Sequence, residues 1–388
     1  VNQELRGRIE AELELLRTKG LYRTIRACDG PQAPRIRVEG RETLLLASNS
    51  YLGLSGDPRL IEAGKQALAR HGAGAGGSRL TTGGYEVHRE LEEETARLKG
   101  QECALLFGTG FQANLAVLSA FADRSWVVFC DRLNHASIID GCRLSGAELV
   151  PYRHADPDDL GRKAERFRGR PGLLVTDGVF SMDGDLAPLA ALVRLAEEHG
   201  WLSVLDDAHG SGVLGPDGAG SAALAGLSRA FDVVICTYGK AFASQGAAAC
   251  GDRLVIDWLR NRARGFIFST ALPPHVAAIS LEALRVARAE GWRREKLQVL
   301  SARFRTRLRA AGLEVPEGTT PIVPVIIGGA EETCRISARL LEEGVWIPAI
   351  RPPTVKEGTS RLRCSIMATH TEADLDFAAE AIVRAVRC

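Results

Sequence analysis

Val233-Val-Ile-Cys-Thr237-Tyr-Gly-Lys240 and, earlier in the chain, Leu202-Ser-Val-Leu205-Asp206-Asp-Ala-His209-Gly210 decide how this sequence folds. Each is an apolar run that ends abruptly in polar residues. An apolar run without alternation marks a strand buried on both faces, as in a parallel sheet covered by helices. The polar residues then stand at the carboxyl ends of central strands, where open α/β sheets bind ligands. A lysine there is costly to desolvate, yet its amine and flexible stem suit Schiff-base chemistry. Only seven of the 49 basic residues are lysine. Lys240 alone follows a buried strand in this reading; the others, Lys99 among them, are expected in polar or amphipathic surroundings.

The pattern extends outward. Further strands are expected at 104–107, 126–130, 148–152, 172–176 and 247–250, with helices at 111–121, 137–144 and 188–199. Asp57-Pro58 is an N-cap followed by proline, opening a helix that stops at His71-Gly72. The glycine-rich stretch 72–77 reads as a loop, and 86–99 as a helix. After Pro273-Pro274 come long helices over 275–312, strands at 322–327 and 361–365, and a terminal helix. The expected fold is α/β, with a mostly parallel sheet in a large domain over 46–274. A smaller α+β domain over 275–388 follows. Residues 1–45, with a helix at 4–19 carrying Leu5, Ile9, Leu13 and Leu16 and a hairpin at 35–47, form an arm expected to pack with it.

Composition narrows the class. The chain is 45% hydrophobic and 25% charged with a net charge of +1, which speaks against nucleic-acid or membrane-surface binding. No apolar run reaches membrane-spanning length, and the polar N-terminus does not read as a signal peptide. Nine cysteines, without a Cys-x-x-Cys pair, fit reduced residues of a cytoplasmic protein.

A pyridoxal phosphate site needs a lysine, a carboxylate for the pyridine nitrogen, a phosphate cradle and a flat group against the ring. Lys240 and Asp206 supply the first two. Gly108-Thr-Gly110-Phe111-Gln-Ala-Asn114 follows a strand and opens a helix, so its amides suit an anion. His135 and Ser181 sit at further strand ends, with His209 and Thr237 near the principal pair. Each has a plainer reading alone: a capping aspartate, a snorkelling lysine, a histidine at a turn. The glycine motif also satisfies the dinucleotide fingerprint, with Asp131 as the ribose-binding acid of an NAD-dependent dehydrogenase. That alternative leaves Asp206, His209 and Lys240 without a task.

Ser48-Asn49-Ser-Tyr-Leu-Gly-Leu54, Asp131-Arg-Leu-Asn-His135-Ala-Ser137, Gly178-Val-Phe-Ser181-Met-Asp-Gly-Asp185, Asp206-Asp-Ala-His209-Gly210 and Thr237-Tyr-Gly-Lys240 together resemble the α-oxoamine synthases. These are fold-type I pyridoxal phosphate enzymes, and the likeness runs nearly end to end. It implies decarboxylative condensation of a small amino acid with an acyl thioester. Ala349-Ile-Arg351-Pro-Pro-Thr354-Val355 and Gly358-Thr-Ser-Arg361-Leu-Arg363 look most like the members that join L-alanine to a pimeloyl thioester in biotin synthesis; glycine C-acetyltransferase activity is the alternative. The resemblance implies Lys240, His135 and Asp206 as the catalytic set. It places Gly110, Phe111, His135, Ser181, Asp206, His209, Thr237 and Lys240 at the cofactor. Arg23 and Thr354 correspond to acyl-substrate positions, and Asn49 and Arg363 to carboxylate contacts. Arg361 shares a strand face with Arg363 and remains an alternative to it. A homodimer with its active site at the interface is implied, with coenzyme A or a transiently bound acyl carrier protein delivering the acyl group. Two positions depart from the family: Asp177 stands for a usual Glu and Ala243 for a usual Gly. Neither is expected to touch a catalytic role.

Overall fold

The computed structural model describes residues 1–387. The chain divides into two compact units, one of residues 50–181 and 185–295, the other of 1–49, 182–184 and the chain from 296 on.

The larger unit is built on seven strands: β1 (Cys103–Phe107), β2 (Val127–Asp131), β3 (Glu148–Tyr152), β4 (Gly172–Asp177), β5 (Leu202–Asp206), β6 (Val233–Thr237) and β7 (Ala247–Gly251). Their spatial order is β1-β7-β6-β5-β4-β2-β3. Only β7 runs antiparallel to its neighbours. Every residue of β2, β4, β6 and β7 is buried, because both sheet faces carry helices. Period-two alternation divides the side chains between two cores. Val128 and Cys130 join Val117, Ile138 and Ile256 on one side, while Val127 and Phe129 join Leu160 and Leu192 on the other.

Helix Pro274–Ala289 packs on helices Pro58–His71 and Glu86–Lys99. At Gly64 a Cβ would lie 2.9 Å from the Ile279 Cδ1 atom, so the glycine permits this close approach. The boundary between units therefore falls after 295 instead of at Pro273-Pro274, where the composition changes.

The smaller unit holds two sheets. Cys28–Asp29, Arg35–Val38, Arg41–Leu45 and Val345–Trp346 form one; Ile322–Gly328, Ser360–Ser365 and Ala349–Ile350 form the other. The parallel pairing of Arg41–Leu45 with Val345–Trp346 joins the N-terminal arm, extended to residue 49, to the C-terminal part of the chain. Helix Gln3–Thr18 buries none of its residues. Among the described residues no helix is long and apolar enough to cross a membrane.

Candidate active site

Strands β2, β4, β5 and β6 end on one edge of the sheet, in Asp131, Asp177, Asp206 and Thr237. β1 runs antiparallel to β7, as β6 does, so its end opens helix Gly110–Phe121 on the same edge. The cofactor residues expected from sequence all lie on this edge, at the strand ends or in the turns and helix start that follow them.

Asp206 is only 5% exposed. Its Oδ2 accepts from Asn114 Nδ2 at 2.6 Å and its Oδ1 from the Ala208 N–H at 3.0 Å. Asn114 Nδ2 also donates to Ser137 Oγ at 2.9 Å, and that oxygen lies 2.7 Å from His135 Nδ1. His135 caps helix Ala136–Ser145 and meets the edge of Phe111, with ring centroids 6.3 Å apart. At Gly110 a Cβ would lie 2.7 Å from Thr237 Cγ2, so only glycine lets the helix start approach the end of β6. The first-turn amides of Gly110 and Phe111 precede any intrahelical acceptor and form a ready anion site. Thr237 Oγ1 donates to the Ala208 carbonyl at 3.4 Å, and His209 Nδ1 lies 2.8 Å from the Tyr51 hydroxyl. Lys240 is half-buried in a turn closed by the Ala243 N–H on its carbonyl at 3.0 Å.

The charges act on one another. Asp177 pairs with Asp206 across β4 and β5. Burial first, and then the Asp206 charge, push its carboxyl well above the usual range, against the His135 N–H and Lys240. His135 is solvent-exposed, yet desolvation by nearby protein lowers its pKa, with Asp206 opposing the shift and Lys240 adding to it. Lys240 enters both shifts, which brings its charge within reach of Asp177 and His135.

Three expectations change. Asp177 is no bystander: it accepts the His135 backbone N–H at 2.7 Å. Lys99 is not in polar surroundings but deeply buried, its ammonium 2.7 Å from Asp207. Asp131 is no ribose ligand. It is 1% exposed, accepts the Leu133 and Ala155 N–H groups at 2.8 and 2.7 Å, and lies 3.1 Å from His154 Nδ1. His154 Nε2 meets Asp185 at 2.8 Å. Burial alone would lower the His154 pKa, but the two aspartates raise it to about 10. Asp131 is therefore committed to an internal ion pair, and the dinucleotide alternative loses its acid.

In the smaller unit, Arg363 donates to Asn49 Oδ1 at 3.1 Å and to Ser365 Oγ at 2.9 Å. Arg361 instead forms a salt bridge with Asp183 and donates to the Thr359 carbonyl at 3.0 Å. Arg351 donates to the Tyr22 carbonyl at 3.2 Å, which sets the exposed Arg23 and Thr354 on neighbouring segments.

Asn114, Ser137 and Tyr51 escaped the sequence reading as site residues. A signal for Asn114 was present: it is the one amide on a buried helix face otherwise made of Ala113, Ala116, Val117 and Leu118.

Residues 41–382 match the family model for class I and II aminotransferases. The chain is 52% identical to the 8-amino-7-oxononanoate synthase of Geobacter metallireducens over 368 residues, 94% of each chain. It is similar to a solved serine palmitoyltransferase with its pyridoxal phosphate internal aldimine, at a TM-score of 0.92 and 33% identity, covering 98% of this chain and 96% of that one. For the 8-amino-7-oxononanoate synthase of Francisella tularensis the TM-score is 0.77 at 29% identity, with 88% and 97% covered.

Proposed function

The chain belongs to the class I and II aminotransferase family, and from that premise we propose that it uses pyridoxal phosphate to condense L-alanine with a pimeloyl thioester. Carbon dioxide and the free thiol leave, and 8-amino-7-oxononanoate is the product. The observation that carries the reading is the setting of Asp206: nearly buried, held by the neutral Asn114 amide and Ala208 N–H, and acting with Lys240 on His135. The narrow approach of Gly110 to Thr237 leaves backbone amides facing where a phosphate would sit, so the residues present fit the cofactor.

When bound, pyridoxal phosphate supplies an aldehyde that condenses with amines and a protonated ring that draws electrons from the amino-acid Cα. Asp206 keeps the ring-nitrogen proton in place. Gly110, Phe111 and Thr237 hold the phosphate, while Ser181 and His209 donate to the ring oxygen. Lys240 Nζ is the amine that would hold the cofactor aldehyde, and once free it would take the alanine Cα proton and return one after carbon dioxide leaves. His135 would lie against the ring. Its Nδ1 accepts the Ser137 N–H at 3.3 Å, so its proton resides on Nε2, placed to polarise the new carbonyl.

Arg363 and Asn49 bind the substrate carboxylate. Arg361 is already spent on Asp183, which favours Arg363. Arg23 and Thr354 contact the acyl substrate, delivered on coenzyme A or an acyl carrier protein. The active form is a homodimer, a reading supported by Leu5, Ile9 and Leu16, which a helix of this chain leaves exposed. A steady-state assay crossing alanine, glycine and serine with pimeloyl, acetyl and palmitoyl thioesters tests the substrate assignment. Alanine with pimeloyl thioester should lead in kcat/KM by about 10-fold or more; a preference for glycine with the acetyl donor would overturn it.

A further inference from the structure

We propose that Asn114 is a positioning residue whose single amide holds both the Asp206 carboxylate and the tautomer of His135. The inference deepens the function above, and its cofactor arm rests on that reading.

Asn114 is 1% exposed, and its Nδ2 carries two hydrogens. One goes to Asp206 Oδ2 at 2.6 Å and the other to Ser137 Oγ at 2.9 Å. The bond directions are fixed from one end. A carboxylate only accepts, so the amide nitrogen and not its oxygen must face Asp206. Ser137 Oγ, accepting from that nitrogen, has its own hydrogen left for His135 Nδ1 at 2.7 Å. Nδ1 also receives the Ser137 backbone N–H. A ring nitrogen that accepts carries no proton, so the imidazole proton sits on Nε2.

Packing does not explain this residue. Asn114 Oδ1 is buried without a partner, which costs stability that a leucine of similar size would not incur. The retained amide has its work at the nitrogen, where it links the group for the cofactor ring nitrogen to the group that lies against the ring.

The test uses the full chain with and without pyridoxal phosphate. Selective ¹⁵N labelling of histidine reads the His135 tautomer without cofactor. Wild type should show the proton on Nε2, Ser137→Ala and Asn114→Leu should each give a mixture, and the double variant should go no further than Asn114→Leu. Absorbance of the lysine-bound form gives the pyridoxal phosphate dissociation constant. Asn114→Leu should raise it about 10-fold, and Ser137→Ala should leave it within about twofold. An unchanged tautomer in either variant, additive tautomer effects, or unchanged cofactor affinity in Asn114→Leu overturns the proposal. Should Asn114→Leu fail to fold, the tautomer of Ser137→Ala decides alone. Wild type that takes up no pyridoxal phosphate would break the proposed function, while the tautomer arm would still judge the relay.

Discussion

Asp206 and Asp207 are adjacent in sequence and face opposite ways; Lys99 meets Asp207, while on the other side Lys240 and Asp206 both act on His135. The Asp207 side is closed. Lys99 Nζ donates to Asp207 Oδ2 at 2.7 Å, Ser211 Oγ at 2.6 Å and the Ala219 carbonyl at 2.8 Å, so its three hydrogens have three acceptors. Burial alone would lower the Lys99 pKa, but Asp207 outweighs it and the net shift is upward. The Asp206 side is open. Lys240 is half-buried, Phe111 is 45% exposed, and the Asn114 amide and Ala208 N–H that donate to Asp206 are neutral. Depth of burial and a saturated ion pair mark the structural lysine. The lysine proposed as the reactive one is half-buried in a turn beyond a strand end.

Replacing each lysine separates the two roles. Lys240→Ala should cost more than about 10³-fold in turnover and abolish the visible absorbance of the lysine-bound cofactor, with little change in thermal midpoint. Lys99→Met should instead cost about 3–5 kcal/mol in denaturant unfolding, because Asp207 is left charged and buried. Adding Asp207→Leu should restore most of that loss. An inactive but fully stable Lys99→Met protein would reverse the comparison. The folded pKa of Lys99 is raised, so the pair's contribution is complete below the unfolded lysine value and lost only as pH rises through the folded one. The stability difference between wild type and the double variant should therefore stay flat from about pH 6 to about pH 9.

A single methyl probes the closed side next. At Gly220, whose φ is +108°, a Cβ would lie 1.7 Å from Asp207 Oδ2. Gly220→Ala should lose about 3 kcal/mol or more, from overpacking and a strained backbone together. A thermal midpoint equal to wild type would mean that the carboxylate can move, and that the closed side is looser than its contacts imply.

Sequence reasoning reached the open side more easily than the closed one, for a physical reason. Strands β5 and β6 are apolar up to their ends, so Asp206, Thr237 and Lys240 announce themselves by breaking the pattern. Lys99 breaks nothing: it ends an amphipathic helix as an ordinary basic C-terminal residue would, and only the tertiary fold carries its stem inward to Asp207. Asn114 is likewise one polar residue in the stretch 108–114 that also supplies Gly108 and Gly110, and those drew the attention. Helices Pro157–Ala164 and Arg253–Arg262 were legible but passed over. Asp156 and Asp252 cap them with their side chains, and Asp156-Pro157 repeats the Asp57-Pro58 signal. The unit boundary at 295 was not legible, because helix Pro274–Ala289 is placed by packing on Gly64 and not by any local break.

The smallest effect is expected on the open side. Ala243 has a φ of 50°, a left-handed conformation that costs a non-glycine residue about 1–2 kcal/mol. Glycine would remove that strain but lose about 0.4–1 kcal/mol through the greater freedom of the unfolded chain. Ala243→Gly should therefore stabilise by no more than about 1 kcal/mol in denaturant unfolding, with kcat changed less than about twofold. The Ala243 N–H closes the turn on the Lys240 carbonyl, so the result also measures how tightly that turn must be held. A large loss of kcat with unchanged stability would show that the strained alanine presents Lys240. The open side would then be as exactingly built as the closed one, through backbone conformation in place of a saturated ion pair.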